Sequence, residues 1–520
     1  MEWRNKQKLV LIITAVFVGF CSELFSQATS TDSTARLFTL QDAIEYALQR
    51  SFSVKSLGLS LESARQNLQA RKGNFKTNAQ LRLESPNLAE QLLAVEVANG
   101  LPSYTTRGTL RFNGMLDINQ PLPTNGVFTL SGQAYQQNVS TFIQNDESEL
   151  KRKDFLTSIG LRLNQPLFTI NTLKLGYEEA NLNYDRTSGQ IRRNELDVVY
   201  NVTQAFFQLY SATRELEIAR EDLKQQEEAF NLAGKKYAAG LIPEVEALQT
   251  EVDLAQSRNR VYSAESALHR QDDLFKQTIG MPLADRIVVQ TTVEFKPFAI
   301  DLDKAIAFGM THRSEIREQQ IEKRLQEIEL KRTDARSEFK AELTAYYDLT
   351  GVSNDTTPYT KGTGELLRLS WNDLRDRPKN RGVQFSVSVP LWDSGVNGAE
   401  VSAAKARLDQ AALRLEDERI TVEREIKDVV ARVREAANRL EVLEKSQKLA
   451  ERSYEISLAR FDNGDISAQD LALDRRRLTE ARTAYLNAYT DYQTAVADLK
   501  RKTLYDFENN KSLVEEKANQ

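Results

Sequence analysis

The chain has one cysteine and two histidines in 520 residues. Cys21 falls in the N-terminal segment, so the rest carries no thiol chemistry and no disulfide. His269 and His312 stand far apart in charged helical surroundings and read as solvated helix residues, not ligands or bases. There is no phosphate-binding glycine loop and no paired metal-ligand spacing. No catalytic residue, metal or cofactor is therefore expected, and the chain does not read as an enzyme. A net charge of −5 lacks the basic footprint of a nucleic-acid binder, so no nucleic acid is expected either. Beyond residue 28 no run of ~18 apolar residues exists, which excludes a spanning helix. Residues 172–239 contain no proline.

What is present begins with an export pattern. Arg4, Lys6 and Lys8 precede the apolar stretch Leu9 to Phe20, and "FSQA" places Ser26 and Ala28 at the small positions of a cleavage site. Residues 1–28 read as a signal peptide cut after Ala28. Phe20 stands where a lipid-modification signal would carry a small residue, so simple cleavage is favoured over lipidation of Cys21.

The remainder reads as two copies of one plan. Leu40, Ala43 and Ile44 answer to Leu302, Ala305 and Ile306, and "QPLF" at 165–168 answers to "VPLW" at 389–392. From Pro166 to Gly240 and from Pro390 to Gly464 the spacing is the same. Residues 29–300 form the first repeat, 301–507 the second and 508–520 a tail. Each repeat carries a heptad seam: Val202, Leu209, Leu216, Leu223, Phe230 and Tyr237 in one, Ile426, Val433, Leu440, Gln447, Tyr454 and Phe461 in the other. A 3.5-residue period buries one stripe of a long helix against a neighbour. Gly240 and Gly464 interrupt the two seams, and glycine takes the left-handed conformation that ends a helix. Antiparallel hairpins with tips near 240 and 464 follow.

Between the helical blocks the period changes from seven to two. Strands are expected near 126–142, 154–166, 340–350 and 382–390. Val383, Phe385 and Val387 share one face, as do Ala341, Leu343, Ala345, Tyr347 and Leu349, and as do Phe155, Thr157, Ile159, Leu161 and Leu163. The same alternation fits a soluble sheet lying on a core and a transmembrane β-barrel. In lipid, four strands must close with strands of other chains: two chains give eight, three give twelve and a channel. Residues 143–153 and 351–382 read as polar surface loops, and residues 84–124, with Pro86, Pro102, Pro121 and Pro123, have no counterpart in the second repeat.

The duplicated plan, the "QPLF" and "VPLW" transitions at Pro166 and Pro390, and the turns "YAAG" and "FDNG" resemble the TolC family of outer-membrane efflux proteins over roughly residues 37–507. The resemblance implies a mainly α fold with a β part: a long antiparallel coiled-coil α-barrel, plus a transmembrane β-barrel completed by a homotrimer, four strands per chain. It implies an exit duct in outer-membrane lipid with a long periplasmic extension. A periplasmic adaptor (membrane fusion) protein and an inner-membrane RND or ABC transporter would be its partners, in efflux or type I secretion. The turns at Tyr237, Gly240, Phe461 and Gly464 would form the periplasmic tips where the adaptor docks. Asp470, with Asp474 and Glu246, would line the pore constriction. The same acids in the first turn of a helix also suit its dipole, and Ser467 with Asp470 reads as a capping box. The family's tip arginine is replaced here by Ile466. A reading from another class is an exported coiled-coil scaffold or adhesin without a pore.

Overall fold

The computed structural model describes residues 36–95, 103–143, 148–290 and 298–514. The expected cleavage site after Ala28, Cys21 and the end of the tail lie outside the described residues. Two compact units are present, one drawn from Met1–Ser51, Asn201–Lys296 and Val442–Thr490, the other from Phe52–Tyr200, Pro297–Glu441 and Asp491–Gln520. Both take residues from either half of the chain, because three of the long helices, over 172–238, 396–463 and 468–503, contribute to both.

The first unit opens with β1 (Arg36–Phe38), paired in parallel with β6 (Ile287–Val289). Helix α1 (Leu40–Arg50) starts at a capping box in which Thr39 Oγ1 accepts from the Asp42 amide and Asp42 accepts from the Thr39 amide. The bulk of this unit comes from α3 (Thr172–Ala238), α4 (Glu244–Ile279), α8 (Val396–Asn463) and α9 (Ala468–Thr503). With no proline to break them, α3 and α8 run for 67 and 68 residues. Their heptad seams are buried: Val202, Leu209 and Leu216 on α3, Leu254 and Val261 on α4, Tyr454 and Phe461 on α8, Leu471 and Leu478 on α9. Gln226 on α3, three residues beyond Leu223 and on the same stripe, is also buried and donates to the Thr250 carbonyl at 3.0 Å, so its burial leaves the amide nitrogen satisfied. Phe206, Phe207, Phe275, Tyr210 and Tyr489 form an aromatic cluster with centroids 5.5–6.2 Å apart, edge-to-face except for the tilted pair Tyr210–Tyr489.

Helix α4 ends at Gly280, with φ 76°, where a Cβ would meet the Arg50 carbonyl oxygen at 2.9 Å. Gly240 also has positive φ, 72°, but nothing lies within 4 Å of its would-be Cβ. Gly240→Ala should therefore cost only the backbone term of ~1–2 kcal/mol, while Gly280→Ala adds a steric one. Thermal unfolding midpoints of the two variants, read by helix ellipticity, should rank in that order.

The second unit holds a six-stranded antiparallel sheet of β2 (Asn78–Val95), β3 (Ser103–Pro121), β4 (Val127–Ile143), β5 (Ser148–Leu167), β7 (Lys340–Thr356) and β8 (Asn380–Ser388), in that spatial order. This corrects the expectation of four strands. Residues 84–124 supply most of β2 and β3, and three of their prolines sit where a strand tolerates them, while Pro102 lies outside the described residues. Pro86 falls at a bulge between Glu84 and Asn87, Pro121 is the last residue of β3, and Pro123 lies in the turn beyond. The two expected loops are corrected as well: β5 begins at Ser148, β7 continues to Thr356, and Thr363–Asp376 forms a helix, α7. Among the helices, α2 (Phe52–Gly73) leads into β2, and α5 (Leu302–His312) and α6 (Ser314–Asp334) precede β7. An ion ladder fastens α6 to α3: Arg324 to Glu178 at 2.7 Å, Arg332 to Glu179 at 2.9 Å and Arg193 to Glu318 at 3.2 Å. A short pair, β9 (Tyr505–Asp506) and β10 (Lys511–Ser512), follows α9.

Candidate functional site

Register decides what the sheet can do. Leu163, Leu161, Ile159 and Thr157 of β5 stand opposite Ala345, Tyr347, Leu349 and Gly351 of β7 and opposite Phe128, Leu130, Gly132 and Ala134 of β4. On β8, Val383, Phe385 and Val387 pair with Ala345, Leu343 and Ala341. On β2 and β3, Leu81 faces Leu116 and Ala79 faces Ile118. All these side chains share one face, because directly paired residues point the same way. The other face carries Arg82, Asp117, Asn113, Gln133, Arg162, Ser158, Thr344 and Gln384. It is laced by polar contacts, Gln133 donating to Asn113 at 2.9 Å and Arg111 to Gln137 at 2.7 Å. Many apolar side chains on the first face are exposed, among them Leu81, Leu116, Phe128, Leu161, Val383 and Phe385.

One apolar face, one polar face and two outer strands, β2 and β8, with a free edge describe an incomplete barrel wall. In a bilayer each unpaired edge group would cost several kcal/mol, so such a wall is stable only when its edges are joined. The strand ends carry exposed aromatics at Phe168, Phe339 and Trp392, close to the transitions at Pro166 and Pro390. Phe168 and Phe339 lie with ring centroids 5.4 Å apart. No helix among the described residues is long and apolar enough to cross a membrane.

The two glycine turns are built alike. Gly240 N donates to Tyr237 O and Leu241 N to Lys236 O, both at 2.9 Å. Gly464 N donates to Phe461 O at 3.0 Å and Asp465 N to Arg460 O at 2.9 Å, with φ 86° at Gly464. Both are the double hydrogen bond of a left-handed helix cap. Their aromatic partners differ. Phe461 is 2% exposed and packs with Tyr454, Leu471 and Leu478, whereas Tyr237 is 45% exposed. Lys236 joins the two turns, donating to the Phe461 carbonyl with its ammonium 4.2 Å from the centroid of that ring.

Asp470 closes a capping box: its carboxylate accepts from Ser467 Oγ at 2.7 Å and Ser467 N at 3.2 Å, and its own amide donates to Ser467 Oγ. The Ser467 hydroxyl and amide hold the Asp470 carboxyl below the ordinary range. A depressed carboxylate contributes to stability above its unfolded value, near ~3.9, and loses that contribution as pH falls through the folded value. Asp470 is therefore charged at neutral pH. Asp474 is half-buried, accepts from Ser457 Oγ on α8 and pairs with Arg477 at 3.0 Å. Glu246 lies half-buried in the first turn of α4. Asp470 and Glu246 thus sit on the first turns of return helices, while Asp474 lies one turn further on and already has a cation beside it.

A cluster with no signal in the sequence lies further along the hairpins. Asp222 on α3 is 3% exposed, accepts from Ser257 Oγ and Arg260 Nη2 on α4 at 2.6 Å each, and has Arg475 Nε of α9 at 3.4 Å. Burial pushes the Arg475 guanidinium below its ordinary value, with Asp222 opposing that shift. One carboxylate so ties both hairpins of the chain together.

The profile of the outer membrane efflux protein family matches residues 127–280 and 315–503, so the chain belongs to that family. Its fold is shared with outer-membrane channels of known structure. The Campylobacter jejuni CmeC channel aligns with TM-score 0.65 and 16% identity over 95% of this chain and 93% of its own. VceC of Vibrio cholerae aligns at 0.63 and 14%, covering 90% and 97%. The open state of Neisseria gonorrhoeae MtrE aligns at 0.61 and 16%, covering 91% and 90%. A search of curated sequences finds no match. Family membership makes this an outer-membrane efflux channel and sets the scaffold reading aside.

Proposed function

We propose that three copies of this chain close one duct, six strands each, so that an eighteen-stranded barrel crosses the outer membrane. The observation that carries this is the sheet itself, two-faced and open at β2 and β8. With six strands per chain, two copies would already give twelve and enclose water, so strand arithmetic alone no longer selects a trimer. The trimer rests on the family resemblance, in which two hairpins per chain in three chains make a twelve-helix tunnel. The repeats are a duplicated unit, 29–300 and 301–507. The apolar face meets lipid, the polar face lines the lumen, and the hairpin tips at Gly240 and Gly464 lie in the periplasm. There they meet an adaptor, and an RND or ABC pump in the inner membrane supplies the energy.

At the tip, Asp470 from each copy forms an anionic ring that favours cations, with Asp474 and Glu246 behind it. Asp470→Asn keeps a side-chain acceptor for the Ser467 cap and removes the charge. In planar bilayers this variant should lose most of the cation preference of the parent channel. An unchanged reversal potential in a salt gradient would reduce Asp470 to a helix cap. Conductance tests the duct directly: the reading requires stable, ohmic single channels, and a protein that never conducts would refute it.

A further inference from the structure

Helix α7, inserted between β7 and β8, is not needed to connect neighbouring antiparallel strands, for which a short turn suffices. Its placement is specific. Leu366, Ser370 and Leu374 are buried against the sheet. Ser370 Oγ lies 2.8 Å from Thr157 Oγ1 and donates to the Gly351 carbonyl at 2.8 Å, and Ser353 Oγ donates to the Leu366 carbonyl at 2.6 Å. Gly351 has no side chain because the helix occupies its place: a Cβ there would stand 1.9 Å from Ser370 O. Asp373 accepts from the Val352 amide at 2.8 Å. Gly351 pairs with Thr157 and Ser353 with Phe155, so α7 rests on the apolar face of the sheet.

Its height on that face is what matters. From the pair Leu167–Ala341 to the pair Thr157–Gly351 there are ten residues. That is ~33 Å along a strand, or ~25 Å of vertical height at a tilt of ~40°, the height of the apolar band of a membrane barrel. Beyond that level the same face turns polar, with Lys153 opposite Asp355. The helix therefore sits where hydrocarbon gives way to water. Its outward side carries Leu367, 42% exposed, and Trp371, 44% exposed, with the exposed Arg368 and Arg375 beside them. Arg381 stands on the apolar face opposite Tyr347, low enough that its stem must snorkel toward the same boundary. Amphipathic helices with tryptophan and leucine on one side and arginines on another lie in membrane interfaces, and tryptophan collects there.

We infer that α7 is an interfacial helix of the outer leaflet, with Trp371 and Leu367 set among acyl chains and Arg368 and Arg375 on the phosphate groups of anionic lipid. It caps the free upper edge of β7 and anchors the barrel against vertical slippage. This inference rests on the membrane reading of the sheet, and the test separates the two. In full-length protein carrying Trp3→Phe and Trp392→Phe, Trp371 is the sole tryptophan. The protein is reconstituted in vesicles of phosphatidylcholine or phosphatidylglycerol, brominated near the glycerol end or near the tip of the acyl chain. Trp371 fluorescence should be quenched by the shallow bromines and spared by the deep ones. Shallow quenching should be at least about twofold stronger in phosphatidylglycerol, a bias that Arg368→Gln with Arg375→Gln abolishes. Equal quenching in both lipids would overturn the anionic contact.

A matched protein with Val383→Trp as its sole tryptophan reports the sheet. If Val383→Trp is quenched by deep bromines while Trp371 is quenched by none, the helix proposal fails and the barrel stands. If neither is quenched, the barrel reading fails first. A disulfide between Trp371→Cys and Leu88→Cys of a second copy would also overturn the inference, since α7 would then pack on a neighbouring β2 and not on lipid.

Discussion

Replacing Asp222 with alanine is expected to cost the helical hairpins ~3–5 kcal/mol, the price of removing one partner of a buried charge cluster. Among the described residues, Asp222 is the one carboxylate within salt-bridge distance of Arg475, at 3.4 Å, and Arg475 is itself buried. Without Asp222, the buried guanidinium loses its nearest anion and keeps the weaker field of Asp253 against its desolvation. Ser257, fully buried, also loses its acceptor, whereas Arg260 is half exposed and can turn to solvent. Replacing both members, Asp222→Leu with Arg475→Leu, should return stability to within ~1–2 kcal/mol of the parent, since an apolar pair of similar volume escapes the desolvation cost. Amide hydrogen exchange in residues 250–262 and 470–482 of the detergent-purified protein reads the effect on both hairpins at once. If the single variant exchanges no faster than the double one, Asp222 is not the tie between them.

The second large effect is expected at Val383. It pairs with Ala345, which pairs with Leu163, close to halfway up the apolar band. An arginine on the lipid face of a barrel near the midplane costs ~2–4 kcal/mol, and Val383 is an edge-strand residue whose side chain is largely exposed on that face. Val383→Arg should therefore deplete the folded, heat-modifiable species from outer membranes. Gln384→Arg, one residue on and pointing to the polar face, should leave it nearly unchanged. Equal tolerance at the two positions would mean that the alternation does not separate lipid from water.

The helical part was legible residue by residue because its signals are local. A heptad seam marks buried positions such as Val202 and Leu440, and a lone glycine after an aromatic residue marks each turn. The sheet was legible only in part. On β2 the apolar residues run Ala79, Leu81, Leu83, then Leu88 and Leu92, because the bulge between Glu84 and Asn87 shifts the phase by one. A search for unbroken alternation loses such a strand at the bulge, and Pro86 makes the gap look like a loop. Helix α7 was hidden by the glycines and prolines around it, although Leu366, Ser370 and Leu374 recur at helical spacing. Asp222 and Arg475 left no trace at all. On a charged helix, a buried ion pair and a solvated one are written in the same letters, and only three-dimensional packing tells them apart.

Closure of the duct depends on β2 of one copy pairing with β8 of the next. Single cysteines placed along 380–388 of β8, each combined with one along 78–86 of β2, would be oxidised in intact outer membranes. At matching register the disulfides should join chains into a covalently closed ring of three copies. Links confined to one chain, a product that stops at two copies, or no cross-link at any register would contradict it.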